Sequence, residues 1–453
     1  MEREVWLLCA TLAFSLLFYL SGIRRRRQGS GRRPPGPRAL PLIGNGLELR
    51  GGYLHHVLAR LARAHGPLGP APVVVVSSCD AAREAYTKHD RRLAARYTPD
   101  AVRARGWADR SMIYMPSTDP LWRTQRSILA THVLAPRSLA ARRGVRERKV
   151  RDLVEHLRAR AGREVDVGKV LYGSMINLVS SAFFSVDVVD LEGTTESAHG
   201  IREHVEGLAD LMTKPNVSDL FPVLRRLDLQ GLRRKMAGHL GAIFSIVDGI
   251  IDRRLAEAAS SNAAEHDNDF LQVLLNLMSE GQIDRDVVKA IVFELFITGG
   301  ETVTVTVEWA MAELLKNPGA MAKVRAEIDG ALGGKNTIDE SGRGEPAEGM
   351  RLHPVAPVLV PHLAVEDGVE IGGYAVPKGS TVIFNVGAIM RDPVTWDRPD
   401  EFVPERFLDT EVDYRGKDFE FLPFGSGRRQ CPGLPLAERV VPHLLASLLH
   451  AFE

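Results

Sequence analysis

The chain has 453 residues, 58 basic and 57 acidic side chains, and 45% hydrophobic residues. That length exceeds one small domain and supports a large core, and the near-neutral balance gives no ground for nucleic-acid binding. Three cysteines, Cys9, Cys79 and Cys431, are too few and odd in number for a disulfide framework, and they point to a reducing compartment.

Val5 to Ile23 is an almost uninterrupted apolar run, just long enough to cross a bilayer as a helix. Arg24 to Arg27 follow at once. The positive-inside rule keeps that cluster cytosolic and the N-terminus luminal. A cleaved signal peptide is the competing reading, but the positive charge lies mostly after the apolar run and no good small-x-small cleavage site is present. The expected organisation is an anchor over 1–23, a basic proline-rich hinge over 24–45 around Arg32-Arg33-Pro34-Pro35-Gly36-Pro37, and one catalytic domain over 46–453.

Leu54 to His65 reads as an amphipathic helix, Pro72 to Val76 as a short strand and Asp80 to His89 as a helix. Arg96 to Pro120 has no clear period and reads as a long loop. Leu121 to Ala130 is helical, with Trp122 and Arg126 four apart on one face. Arg137 to Arg160 is strongly basic and mostly helical. It reads first as a solvated face and second as a surface for an acidic redox partner. Val170 to Ser185 reads as an apolar helix, Gly238 to Ala258 as an amphipathic one, and Ser260 to Asn268 as a polar surface loop. Asn216-Val217-Ser218 is a glycosylation sequon, discounted because the topology places it in the cytosol.

Asp284 to Lys316 reads as one long helix, with Asp284 as N-cap and Asn317-Pro318 as the stop. In its middle sits Thr298-Gly299-Gly300-Glu301-Thr302. Each glycine costs roughly 1 kcal/mol relative to alanine, which suggests a purpose: close approach of a ligand and a local distortion of the helix. Glu301 beside the Thr302 hydroxyl is an arrangement that can relay protons. Glu348 and Arg351 share a helical face, a weak signal when alone. Val358 to Pro361, Gly368 to Tyr374 and Ser380 to Val386 read as short strands.

The most informative stretch is Phe424-Gly425-Ser426-Gly427-Arg428-Arg429-Gln430-Cys431-Pro432-Gly433. A cysteine serving as an axial haem ligand must be a thiolate, so it needs positive charge and backbone N–H groups aimed at it. Gly427 and Gly433 let a loop lie close under a flat macrocycle. Arg429 can pair with a haem propionate, Phe424 can shield the sulfur, and the helix after Cys431 points its positive end at it.

The spacing F-x-x-G-x-R-x-C-x-G resembles the cytochrome P-450 signature at every fixed position. The resemblance runs from the anchor to the last residue. It implies a mainly α fold with a smaller β region, the cytochrome P-450 fold, with an N-terminal transmembrane helix. Cys431 is then the haem iron ligand. Trp122, Arg126, His362, Phe424, Arg429 and Gly433 bind haem b, and the Arg96–Pro120 region caps the substrate pocket. Glu301 and Thr302 match the family's A/G-G-x-D/E-T motif and supply protons, with Thr298 departing from its small first residue. Glu348 and Arg351, with Arg406 of Pro404-Glu405-Arg406-Phe407, match a buried structural network. Phe293, Phe296, Ile297, Val355 and Val358 are candidate pocket residues.

Arg91 to Arg96, Phe221-Pro222 and Glu308 to Leu315 are similar to plant microsomal members, the last to the geraniol-hydroxylase-like and diterpene-hydroxylase group. The resemblance implies hydroxylation of a lipophilic substrate, such as a terpenoid, with O2 and electrons from NADPH through cytochrome P-450 reductase. The enzyme would sit on the endoplasmic reticulum membrane as a single-pass protein with a cytosolic catalytic domain. Three features depart from the pattern: the glycines of Ser341–Ala347 before Glu348, the direct run from Gly66–Pro70 into the Pro72–Val76 strand, and the absence of a β hairpin after the last helix. They leave a poorly folded or inactive remnant as one alternative. A reductase-independent haem-thiolate enzyme that rearranges peroxides is the other.

Overall fold

Long helical runs and a few short β stretches resolve into two units in a computed structural model. It describes residues 32, 34–37, 48, 52–65, 73–190, 197–259, 269–332, 338, 340, 347–408 and 410–452. The apolar run Val5–Ile23, most of the hinge, Gly66–Pro70, Ser260–Asn268 and Ser341–Pro346 lie outside these residues. The first unit holds the chain up to Tyr97, Ala356–Asp400 and Val412–Gln430; the second holds Thr98–Val355, Glu401–Glu411 and Cys431 to the end.

The first unit carries α1 (Leu54–His65), β1 (Val73–Val76), α2 (Cys79–Leu93), β2 (Ala95–Arg96), β3 (His362–Leu363), β4 (Val369–Ile371), β5 (Tyr374–Val376) and β6 (Thr381–Phe384). The Ser78 hydroxyl accepts the Ala81 N–H and caps α2. The valine run of β1 suits a pleated buried surface, and Val74 and Val76 are fully buried. The sheet order is β1-β6-β3-β2, with β1 parallel to β6 (Val73 beside Thr381) and the other pairs antiparallel (His362 beside Val382, Arg96 beside His362).

The expected strand over Val358–Pro361 is not formed; pairing begins at His362. Pro357 and Pro361 lack the N–H a ladder needs. Gly368–Tyr374 is instead most of a hairpin, β4–β5, turned by Gly372 and Gly373 at φ 59° and 77°. Of the hinge, Arg32 lies along this hairpin: its carbonyl accepts the Ala375 N–H at 2.8 Å and its guanidinium sits 5.2 Å from the Tyr374 ring centre.

The second unit is helical: α3 (Pro120–His132), α4 (Arg143–Arg158), α5 (Val167–Phe184), α6 (Ser197–Thr213), α7 (Leu232–Ala259), α8 (Phe270–Ser279), α9 (Arg285–Gly299), α10 (Glu301–Lys316), α11 (Pro318–Leu332), α12 (Ala347–Leu352) and α13 (Leu434–Ala451). One core gathers Phe184, Leu240, Leu274, Val288 and Phe293; another joins Leu153, Leu178, Val307, Leu314 and Leu444. Among the described residues, Val167–Phe184 and Arg285–Lys316 are long and apolar enough to cross a membrane, but most of each apolar window is buried, as in the core helices of a folded domain. The expected loop Arg96–Pro120 contains a 3-10 stretch, Ala101–Asp109, around the buried Trp107. Asn216 of the sequon is buried and its Oδ1 accepts the Ser218 N–H at 2.9 Å, so its side chain is committed within the fold.

Asp284 caps α9 as expected, accepting the Val287 N–H at 2.7 Å. The single helix expected over Asp284–Lys316 is however two runs joined at Gly300 (φ −82°, ψ −67°). A Cβ on Gly299 would lie 2.9 Å from Val179 Cγ2, and one on Gly300 2.7 Å from Ile176 Cδ1. The glycines therefore serve close packing of the joint on α5.

Gly299→Ala is expected to destabilise the protein by about 1–3 kcal/mol through overpacking, despite alanine's better helix propensity, because Val179 is stiff at χ1. Urea unfolding checks this, and Val179→Ala in the same chain is expected to recover part of the loss.

Candidate functional site

Cys431 immediately precedes the last helix: Gly433 is the N-cap residue of α13, and Pro435 lies in its first turn. The backbone N–H groups of Gly433 and Leu434 favour negative charge on the sulfur. Burial pushes the thiol up, while those two donors and the Arg126 guanidinium pull the other way. The residue nevertheless presents exposed surface. A Cβ on Gly433 would sit 3.7 Å from the sulfur, in van der Waals contact with it.

Arg126, on α3, lies 5.6 Å from the Trp122 ring centre, and burial lowers its pKa. The Trp122 indole N–H donates to the Met112 carbonyl at 3.0 Å. An indole has one N–H, so Arg126 is the better placed of the two for an anion.

In the first unit, Arg429 Nε donates to the Ala94 carbonyl at 2.7 Å. His362 is buried, and its Nδ1 donates to the Leu93 carbonyl at 2.7 Å. Because the partner is a carbonyl, Nδ1 carries the proton in the neutral ring and Nε2 keeps a lone pair. Burial, then Arg96 and Arg429, hold His362 well below the usual imidazole range. The neutral ring offers Nε2 as an acceptor. Positive charge here comes from Arg429 and from Arg96, which donates to the Val360 carbonyl. Arg96 was missed in the sequence reading. Its signal was being the one arginine of the Arg91–Arg96 run to fall on a strand. Phe424 packs on Tyr414, ring centres 5.7 Å apart. Gly427 has φ 64°, and a Cβ there would meet Asp90 Oδ1 at 2.2 Å.

On α10, Thr302 is exposed and its hydroxyl donates to the Thr298 carbonyl at 2.6 Å; Thr298 does the same to the Glu294 carbonyl at 2.6 Å. Glu301 is half-buried. Burial, Glu206 and Glu308 raise its pKa, and Arg202 opposes them. Phe293 and Phe296 are core residues, against Trp107 and Phe244 and against Phe184 respectively. Ile297 and Val358 are half-buried and Val355 is exposed.

Glu348 and Arg351 of α12 are buried and paired in fork geometry: Arg351 Nε and Nη2 each donate to Glu348 at 2.8 Å. Arg406 Nε and the Val403 N–H donate to Glu348 Oε1 at 3.0 and 2.9 Å, and Arg351 Nη2 also reaches the Glu401 carbonyl at 3.1 Å. The structure thus brings all three network residues together.

A family model described as Cytochrome P450 matches residues 34–453. The chain belongs to the cytochrome P-450 family. Membership makes it a monooxygenase of the cytochrome P-450 fold and implies haem. The chain is 54% identical to oryzalexin E synthase and 56% identical to ent-cassadiene C11-alpha-hydroxylase 1, both of Oryza sativa subsp. japonica, across 100% of this chain and 92% of each relative. It is 39% identical to geranylhydroquinone 3''-hydroxylase of Arnebia euchroma over 93% of this chain and 87% of that one. A zebra fish cytochrome P-450 solved with progesterone superposes with a TM-score of 0.71 at 26% identity, covering 89% of this chain and 93% of the other. The alignment with oryzalexin E synthase runs over 474 positions, more than this chain's 453 residues, so gaps open on this chain's side.

The donor set of this cytochrome P-450 fits haem. A thiol facing two backbone N–H groups and a guanidinium suits a thiolate bound to iron, and Gly433 leaves the sulfur uncrowded. The arginines Arg96 and Arg429 beside a neutral His362 suit carboxylates.

Arg351→Ala leaves the Glu348 carboxylate buried without its bidentate partner and is expected to cost about 3–5 kcal/mol. Arg351→Lys keeps the charge but loses the fork and is expected to recover only part. Midpoints of denaturant unfolding on the haem-loaded protein distinguish the two.

Proposed function

We propose that this chain hydroxylates a lipophilic terpenoid, with electrons from NADPH passed by a flavoprotein reductase. The observation that carries the reading is Cys431 at the head of α13, where the Gly433 and Leu434 N–H groups favour its thiolate. The named activities of the rice and Arnebia relatives favour a terpenoid substrate. Haem held by Cys431 supplies oxygen activation.

The protein's part is to position and to manage protons. Gly433, Leu434 and Arg126 favour negative charge on the Cys431 sulfur. Arg96 and Arg429 hold propionates. Glu301, with its pKa raised chiefly by burial, retains a proton more readily than a surface glutamate and can release it inward. Thr302 donates to the Thr298 carbonyl, so its oxygen lone pairs are what it offers to an incoming proton. An acid–hydroxyl pair of this kind supports oxygen-dependent hydroxylation over peroxide rearrangement.

A membrane setting is supported by Val5–Ile23 with its arginines and by Leu220, Val223, Leu227 and Leu229, each 60% exposed or more. A reductase-facing role for α4 rests on the exposed Arg148, Arg151 and Arg158. Its remaining cations are partly neutralised, Arg146 by Glu340 and Lys149 by Asp187. The chain-side gaps against oryzalexin E synthase favour, as a second reading, a chain shortened internally that folds poorly.

The reduced, carbon-monoxide-bound spectrum of the full chain is the deciding measurement. A strongly red-shifted Soret band is expected, and Cys431→Ser is expected to abolish it; a wild-type protein that takes up no haem would establish the second reading. In the haem-loaded enzyme, Glu301→Gln is expected to slow turnover by about 10²-fold, the lower end for a lost general acid, while the carbon-monoxide band stays in place. Turnover with rice diterpenes and a plant reductase, with and without NADPH, checks both claims.

A further inference from the structure

Two histidines that the chemistry above does not use meet between α6 and α7. These helices pack along an apolar seam, with Val205 and Leu208 of α6 and Met236 and Leu240 of α7 buried in one core. His204 and His239 sit at the rim of that seam, each half-buried and so within reach of solvent. Their Nδ1 atoms are 3.1 Å apart, and the rings meet edge to face, with centres 5.3 Å apart and planes at 65°. Gly207, three residues beyond His204 on the same face of α6, leaves the space that the His239 ring fills: a Cβ there would lie 2.5 Å from His239 Cε1.

In a neutral pair one Nδ1 carries a proton and the other accepts it. That hydrogen bond uses little of what the pair offers. Moving the single shared proton to Nε2 of its own ring leaves a lone pair on each Nδ1. Two nitrogens held about 2.0–2.1 Å from one zinc ion at a tetrahedral angle lie about 3.3–3.4 Å apart. The observed 3.1 Å is therefore a small ring rotation away from a chelate. Water can take the remaining positions around the ion, since neither ring is fully buried. The cation five residues before Gly207 on α6, Arg202, is already engaged by Glu206 at 2.7 Å, and Lys235, one turn before His239, is exposed and can extend into water. Imidazole nitrogen suits Zn2+ and its first-row neighbours, whereas Mg2+ and Ca2+ favour oxygen.

We propose that His204 and His239 form a two-histidine site for Zn2+ or a like first-row divalent cation, which pins α6 to α7. The site needs nothing from haem or from Cys431. Its reach extends beyond the two helices. The Ala237 carbonyl, two residues before His239, accepts Arg105 Nε at 2.7 Å, and Arg105 belongs to the 3-10 stretch Ala101–Asp109. A metal at the pair thus steadies the turn of α7 to which that stretch is tied.

The test uses the haem-loaded full chain without a histidine tag, first stripped of loose metal by a chelator. Binding of ZnCl2 is followed by calorimetry, with MgCl2 as the control, and amide hydrogen exchange is read with and without zinc. The wild type is expected to bind one Zn2+ that His204→Asn and His239→Asn each hold about tenfold more weakly or not at all, tenfold being the lower end for disturbing even the support of a ligand. Asparagine can still hydrogen-bond the remaining imidazole but lacks its nitrogen lone pair, so a merely structural pair is spared by the change. In the wild type alone, zinc is expected to slow exchange around His204–Gly207 and His239–Leu240. Mg2+ is expected to do neither. The wild-type exchange comparison needs no substitution and decides the matter where an asparagine variant does not fold.

Zinc bound equally by the wild type and both variants would overturn the site, as would slowed exchange elsewhere in the chain but not at this pair. Equal effects of Mg2+ would do the same, since an oxygen-preferring ion has no reason to choose two imidazoles. Loss of zinc binding in one variant only would also overturn it, because a chelate needs both rings.

Discussion

A sulfur that has to carry negative charge inside a protein is the constraint on which the rest of this structure depends. Burying an ion costs several kcal/mol unless dipoles or opposite charge replace water. Here burial alone drives the Cys431 thiol the wrong way, and the correction comes from two backbone N–H groups and one arginine. Backbone donors can meet the sulfur only if a helix begins just past it, which fixes where α13 starts. Gly433 is then the residue beside the sulfur, where any side chain would touch it at once. Arg126 must come from elsewhere, so α3 is placed by its interior face, with Trp122, Ile128 and Leu129 buried.

The threonines of α9 and α10 show how one helix accommodates polar work inside an apolar core. Thr298, Thr302, Thr304 and Thr306 all donate to the carbonyl four residues back. Such back-bonds satisfy each hydroxyl locally, and they bend helices. The bend is concentrated at Gly300, where two residues without side chains let the joint settle on Ile176 and Val179. Thr298, the departure from a small residue, thus belongs to a repeated local device. Its hydroxyl is turned to the Glu294 carbonyl.

Features carried by local spacing were legible in the sequence: the cysteine turn, the Asp284 cap, and Glu348 with Arg351 three residues on. Arg406 lies much later in the chain and was reached through the family pattern, but the Val403 N–H that completes the carboxylate's partners has no sequence signal. The same holds for Glu294, whose partners Ser111 and Met112 are 183 and 182 residues away. Periodicity marks position 294 as one more helical residue, and nothing local says that its carboxyl faces two donors. The strand expected at Val358–Pro361 failed for a readable reason, Pro361 at its end and Pro357 just before it. The helix break at Gly300 was half-read: the glycines signalled a distortion, and only the neighbouring helix shows what it serves.

His362 carries the argument one step further. A histidine among arginines is easily taken for a further cation, and His362 is not one. Strand pairing of Arg96 with His362 brings the guanidinium beside the ring, while the Leu93 carbonyl claims its proton-bearing nitrogen. A second proton would have to be held in a buried ring between Arg96 and Arg429, and the ring stays neutral. Charge for an anionic group is therefore left to two guanidiniums, which keep it at any physiological pH. The imidazole becomes a spacer that holds the β2–β3 edge in register.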